Sequence, residues 1–150
     1  MPQLIARGET LEFDRPQIMA VINATPDSFS DAGKYATIEA RMERTREVLE
    51  QGADILDIGG QSAITGVPEI SEQEEIDRIT PVIEWVAANT TAVMSIDTYR
   101  PAVARAALAA GAHIINDISG LMHTELADVV AEYKAGYILM HNRGRPKVRL

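Results

Sequence analysis

The stretches "EQGADILDIG" (50–59), "AAGAHIINDI" (109–118) and "YKAGYILMH" (133–141) share one plan: a helix end, a glycine, then a short apolar run that finishes on polar residues. A glycine that closes a helix just ahead of a buried strand is the joint of a repeating helix-then-strand unit. Working outward from these joints, the rest of the chain fills in the same way. The runs "IMAVIN" (18–23), "DILDIG" (54–59), "AVMSIDT" (92–98), "HIINDI" (113–118) and "YILMH" (137–141) read as strands. Between them, "TIEARMERTREVLEQG" (37–52), "SEQEEIDRITPVIEWVAANT" (71–90), "PAVARAALAAG" (101–111) and "TELADVVAEYKAG" (124–136) read as helices. Strands that are apolar on both faces and alternate with helices predict parallel pairing.

Local signals agree with this division. The periodicity of the first helix places Ile38, Met42, Val48 and Leu49 on its apolar face. Ser71 and Glu74 form a capping box at the start of the second, and Pro81 inside it predicts a kink or a split. Pro101 suits the first turn of the third helix and Gly111 its end. Ahead of the repeat, "QLIARGETLEF" (3–13) alternates around "RGET" and predicts a small hairpin. A doubly wound sheet and a (β/α)8 TIM barrel both produce such alternation, but no G-x-G-x-x-G or P-loop follows any strand, which favours the α/β TIM barrel. A complete barrel takes about 250 residues and eight strands. Five strands and four helices in 150 residues predict a single domain, 1–150, truncated on its C-terminal side.

Bulk composition narrows the function. The net charge of −8 and the 5% aromatic content argue against a nucleic-acid surface, which needs a basic patch or stacking rings. The chain has no cysteine, so disulfides, thiol nucleophiles and thiolate metal sites are excluded. No apolar run approaches the roughly 20 residues of a membrane span, and "MPQLIARGETLEFD" lacks the basic start and apolar centre of a signal peptide. The expectation is a cytoplasmic protein that binds no membrane. The last acidic residue is Glu132, and Arg143, Arg145, Lys147 and Arg149 follow it as either an anion-attracting or a merely solvated tail.

Active sites of parallel α/β architectures lie at the C-terminal ends of the strands. There the chain places Asn23, then "GGQSAITG" (59–66), then Asp97 and Thr98, then Asn116 and Asp117, then His141 and Asn142. One polar strand end is ordinary; five in succession at one rim predict a ligand with several donors and acceptors. A half-buried Asp97 carboxylate can take two N–H donors from a planar amidine-like heterocycle, and Asn116 can donate and accept beside it. The Asn23 carboxamide oxygen is a suitable hard ligand for Mg2+ when phosphate and water complete the shell.

The motifs "INATPDSFSDAG", "GADILDIGGQS", "SIDTYRPAVARAALAAGAHIINDISG" and "MHNRG", in this order from about residue 17 to 145, resemble the successive signatures of dihydropteroate synthase, a pterin-binding barrel family of folate biosynthesis. The resemblance implies condensation of 6-hydroxymethyl-7,8-dihydropterin diphosphate with 4-aminobenzoate, releasing diphosphate. It implies catalytic roles for Asn23, Asp97 and Asn116, with Asp97 and Asn116 holding the pterin and Met140 packing on its ring. Asn23 would contact Mg2+ and the diphosphate, and Thr25, Pro26 and Phe29 would belong to a loop closing over the aminobenzoate pocket, with Ser62 also binding substrate. The small-molecule substrates are the partners it implies, and the full-length family is homodimeric.

Two departures stand out. Where the family reads Gly-Gly-Glu-Ser-Thr-Arg-Pro-Gly, this chain has Gln61, Ala63, Ile64 and Thr65 at the Glu, Thr, Arg and Pro positions. The family's later Asp, Lys and Arg-x-His positions have no counterpart before Leu150. The 150-residue chain is therefore expected to be inactive alone. Alternatives are a non-catalytic pterin-binding paralogue that associates with an intact synthase and, last, a pterin-dependent methyltransferase domain.

Overall fold

The computed structural model describes residues 2–25, 37–62, 67–141 and 146–147. A hairpin comes first, β1 (Gln3–Ala6) and β2 (Glu9–Glu12), followed by β3 (Met19–Asn23), α1 (Ile38–Glu50), β4 (Ile55–Gly59), α2 (Glu72–Asn89) and β5 (Val93–Asp97). The chain continues with α3 (Pro101–Ala110), β6 (Ile114–Asp117), α4 (Glu125–Tyr133) and β7 (Gly136–Leu139). The large sheet has the order β3-β4-β5-β6-β7, every neighbouring pair parallel. Strand order that never reverses is the order of a barrel wall; a doubly wound sheet would change direction at a switch point. The structure is thus a partial TIM barrel with the expected N-terminal hairpin.

The core lies between the sheet and its helices. Ile58, Ile96 and Ile115 from the strands and Ile79, Ile83, Leu108 and Leu126 from the helices are all fully buried. Each such side chain contributes about 1.5–3 kcal/mol. Gly52 and Gly111 end their helices at φ +95° and +121°, a conformation that β-carbons disfavour, as the sequence plan requires. The third joint differs. Lys134 takes the left-handed position after α4, at φ +52°, while Gly136 opens β7, where a β-carbon would come within 3.0 Å of Ile114 and 3.3 Å of Ala6. Its glycine serves close packing over the hairpin, not helix termination.

Two further expectations change. α2 runs unbroken through Pro81, because Ile79, Val82, Ile83 and Val86 on both sides of it are buried and hold the two halves on one axis. In α1 the buried residues are Arg41, Thr45 and Val48, whereas Ile38 is exposed. Thr45 satisfies its hydroxyl by donating to the Arg41 carbonyl at 2.8 Å, so a polar residue can occupy the inward face. The capping of α2 is as expected, the Ser71 hydroxyl accepting from the Glu74 N–H at 3.1 Å. Among the described residues no helix is long and apolar enough to cross a membrane.

The hairpin turns through Arg7 and Gly8, both at positive φ, and sits beneath the strands' N-terminal ends. Arg7 fastens it: its guanidinium donates to the Leu108 and Ala112 carbonyls at 2.6 and 2.8 Å, and its backbone N–H donates to the Lys134 carbonyl at 2.8 Å. These are charge-assisted bonds to the C-terminal turn of α3, where a cation also meets the favourable end of the helix dipole. Arg7→Ala is expected to lower unfolding free energy by about 1–3 kcal/mol, measured by urea denaturation, and to expose residues 2–13 to proteolysis first. Unchanged stability and uniform cleavage would show that the guanidinium bonds are not needed to hold the hairpin.

Candidate active site at the strand ends

Register decides which side chains meet. Asn23 lies level with Gly59, Gly59 with Asp97, Asp97 with Asn116, and Asn116 with Ile138. The three polar residues that the sequence places at separate strand ends therefore form one row across the sheet, interrupted only by a glycine. One pleat below, on the same face, Asp57 lies level with Ser95, and its carboxylate accepts from the Asn116 amide at 3.2 and 3.4 Å. Asp57 was not among the residues expected in the site. Its signal in the sequence was available, namely an acidic residue inside the apolar run "DILDIG" with no base nearby in the chain.

Asp97 is strongly altered by its surroundings. Burial, the neighbouring Asp57 carboxylate, and the charges of Glu75 and Asp117 push its carboxyl up to about 7. Asp117 has the opposite fate. Burial works to raise it, yet bonds from the Ser119 hydroxyl and N–H, the Tyr137 hydroxyl and the Leu121 N–H, all between 2.6 and 2.9 Å, hold it below the usual carboxylate range. Asp117 is fully buried and spends both oxygens on the loop after β6, so it shapes the rim and does not face a ligand.

A small, solvent-open cleft lies beside the row, lined by Ser62, Gln61, Asp97, Thr98, Tyr99 and Lys147 among others. Thr25 is buried just beyond β3, where the Ala24 N–H extends the pairing by donating to the Gly59 carbonyl at 2.7 Å. Met140 follows Ile138 by two residues, so it stands on the same face above Asn116, 43% exposed. Asn23 is exposed on the outer strand of the sheet. Pro26, Phe29, Ala63, Ile64, Thr65 and Asn142 lie outside the described residues. Among the described residues no three His, Asp, Glu or Cys side chains cluster as a metal cage. The donor set is one carboxamide, which fits a divalent cation held mainly by phosphate oxygens and water and not a resident structural ion.

A partial barrel wall whose strand ends carry a half-buried carboxylate with a raised pKa beside carboxamides defines an α/β barrel of the parallel, alternating kind, with a polar mouth at its strand ends. The family model of the pterin binding enzymes matches residues 19–149, and the chain belongs to that family. Its relatives include the dihydropteroate synthase of Streptococcus pyogenes serotype M1, 45% identical over 127 residues that cover 84% of this chain and 48% of the relative. Among solved structures it resembles the Yersinia pestis dihydropteroate synthase in complex with a sulfonamide drug, with a TM-score of 0.89, 42% identity, and coverage of 97% of this chain and 53% of the other. The Xanthomonas albilineans dihydropteroate synthase with 4-aminobenzoic acid gives a TM-score of 0.87 and 44% identity, covering 95% of this chain and 52% of the other. The chain thus spans about half the length of the curated relatives it matches.

A carboxyl raised from its ordinary value near 4 to about 7 opposes folding once it must ionise. The penalty is absent below the unfolded value, grows as pH rises toward 7, and is constant above. Asp97→Asn should therefore make the protein more stable than the parent at pH 8, on the order of 1–3 kcal/mol, and leave the two equal near pH 4. Urea titrations at the two pH values test this; a parent more stable than Asp97→Asn at pH 8 would mean that Asp97 is ionised without penalty.

Proposed function

We propose that the chain carries the pterin-holding part of a dihydropteroate synthase, which joins 6-hydroxymethyl-7,8-dihydropterin diphosphate to 4-aminobenzoate. The observation that carries this reading is the level row of Asn23, Asp97 and Asn116, with Asp57 bonded to Asn116 beneath it. Asp97 would accept the amino and ring N–H groups of the pterin, a bidentate match that stabilises the ionised carboxylate. Asn116, oriented by Asp57, would present its free oxygen and remaining N–H to the ring edge, and Met140 would cover the ring face. Ser62 and Thr25, with Pro26 and Phe29, would border the aminobenzoate, a molecule bound by the Xanthomonas relative.

In the reaction the arylamine nitrogen bonds to the pterin methylene as the carbon–oxygen bond breaks. Diphosphate leaves with the bonding pair, and the ammonium so formed loses its proton to solvent. The residues need do little acid–base work. They hold two rings at attacking distance, shield the developing positive charge on the methylene from water, and let the electron-rich pterin support it. Mg2+, held through Asn23, would supply neutralisation of the diphosphate charge when bound. The whole protein is read as a cytoplasmic homodimer.

A second reading, a pterin-binding paralogue without turnover, is favoured by Gln61, Ala63, Ile64 and Thr65 in the second loop. Calorimetric titration with pteroic acid, beside an assay of diphosphate release from the two substrates, separates the readings: binding with turnover supports the synthase, and binding alone supports the paralogue. Because a bound pterin requires ionised Asp97, affinity should fall about tenfold per pH unit below about 7. Asp97→Asn should weaken binding roughly 10–100-fold and flatten that dependence. A pH-independent affinity in the parent would remove Asp97 from the site.

A further inference from the structure

The second loop departs most from the family pattern, yet its two described ends are heavily hydrogen-bonded. Gln61 leaves β4 and accepts the Ile70 N–H on its side-chain oxygen at 3.1 Å, closing the base of the 62–69 segment. Its side-chain amide donates to the Tyr99 hydroxyl at 3.1 Å, and that hydroxyl donates to Glu69 at 2.7 Å. Arg100 completes the unit by donating to Glu69 at 2.9 Å, to buried Glu75 at 3.0 Å and to the Ile70 carbonyl at 2.8 Å. From the tail, the Lys147 ammonium reaches the Val67 and Pro68 carbonyls at 3.4 and 3.5 Å. Gly60 permits this assembly, since a β-carbon there would come within 2.8 Å of Ile79 and 3.0 Å of the Glu75 carbonyl. The clamp therefore joins β4, the approach to α2, and the loop after β5, and Gln61, Glu75, Tyr99 and Asp97 line the same cleft.

The direction of the hydrogen bonds restricts residue 61. Tyr99 has spent its proton on Glu69, so it offers residue 61 only lone pairs. An amide can donate to them and a carboxylate cannot. A carboxylate at 61 would also add a third negative charge to Glu69 and Glu75, which already share the Arg100 guanidinium and the Lys147 ammonium. We propose that Gln61 is a positioning residue: with Tyr99, Glu69 and Arg100 it locks both ends of the second loop so that Ser62 and Asp97 share one preformed pocket wall. The glutamine is the partner that the Tyr99–Glu69 bond demands. The ligand consequence rests on the pterin reading given above; the lock itself does not.

Exchanging the two side chains reverses the bond direction without changing the charge. In Gln61→Glu the chain of donors is broken. In the double variant Gln61→Glu with Glu69→Gln, the amide now at position 69 can donate to the Tyr99 hydroxyl, and that hydroxyl can donate to the carboxylate now at position 61. Two measurements apply, hydrogen exchange of residues 67–70 by mass spectrometry and pteroic acid affinity by calorimetry, both on the intact protein well below its melting temperature. Gln61→Glu should speed exchange of 67–70 and weaken pteroic acid about tenfold, and the double variant should restore both to within about threefold of the parent. Parent-like behaviour of Gln61→Glu, or failure of the exchange to restore, would overturn the clamp. The expected exchange pattern in a parent protein that binds no pteroic acid would support the clamp and overturn the pterin reading.

Discussion

The parallel register of β3 to β7 is the constraint on which the rest depends. Because each strand pairs with the next without a reversal of order, the strand ends face one side, and a single register row brings Asn23, Asp97 and Asn116 level. A slip of one residue in any pair would turn that strand's polar end toward the helices. The buried isoleucines on the helix-facing side prevent such a slip, since it would drive them into the barrel interior and bring polar residues into the core. Core packing thus sets the geometry of the site at no separate cost.

Four acidic residues around one mouth, Asp57, Glu75, Asp97 and Asp117, would be unstable if they were equivalent. The structure makes them unequal. Asp117 is buried with four hydrogen bonds and stays ionised, and Glu75 is raised by burial but partly relieved by Thr98 and Arg100. Asp97, which has no such compensation among the described residues, is left near neutrality. Among the described residues, three of these carboxylates have partners and one has none, so a single group is left open to N–H donors.

The fold was largely legible in the sequence, because alternating apolar strands and amphipathic helices declare themselves locally. Two glycine joints, the capping box and the hairpin around Arg7 and Gly8 were readable for the same reason. The misreadings were of inward faces and local breaks. Burial of Thr45 in place of Ile38, and continuity of α2 through Pro81, depend on what the helix packs against. The role of Gly136 depends on the hairpin below it, more than a hundred residues away in sequence.

Of the site, the sequence alone determined the inventory: which residues end the strands and so which polar groups the rim carries. Motif order also determined the family. Only tertiary structure decided that Asp57 meets Asn116, that Asp117 spends its oxygens on the loop after β6, and that Gln61 is bonded into one network with Glu69, Tyr99 and Arg100. The reason is physical. Strand-end chemistry is carried by single residues and their neighbours in the chain, whereas desolvation, charge coupling and hydrogen-bond direction arise between residues about 20 to 60 positions apart, which meet only when the sheet is formed.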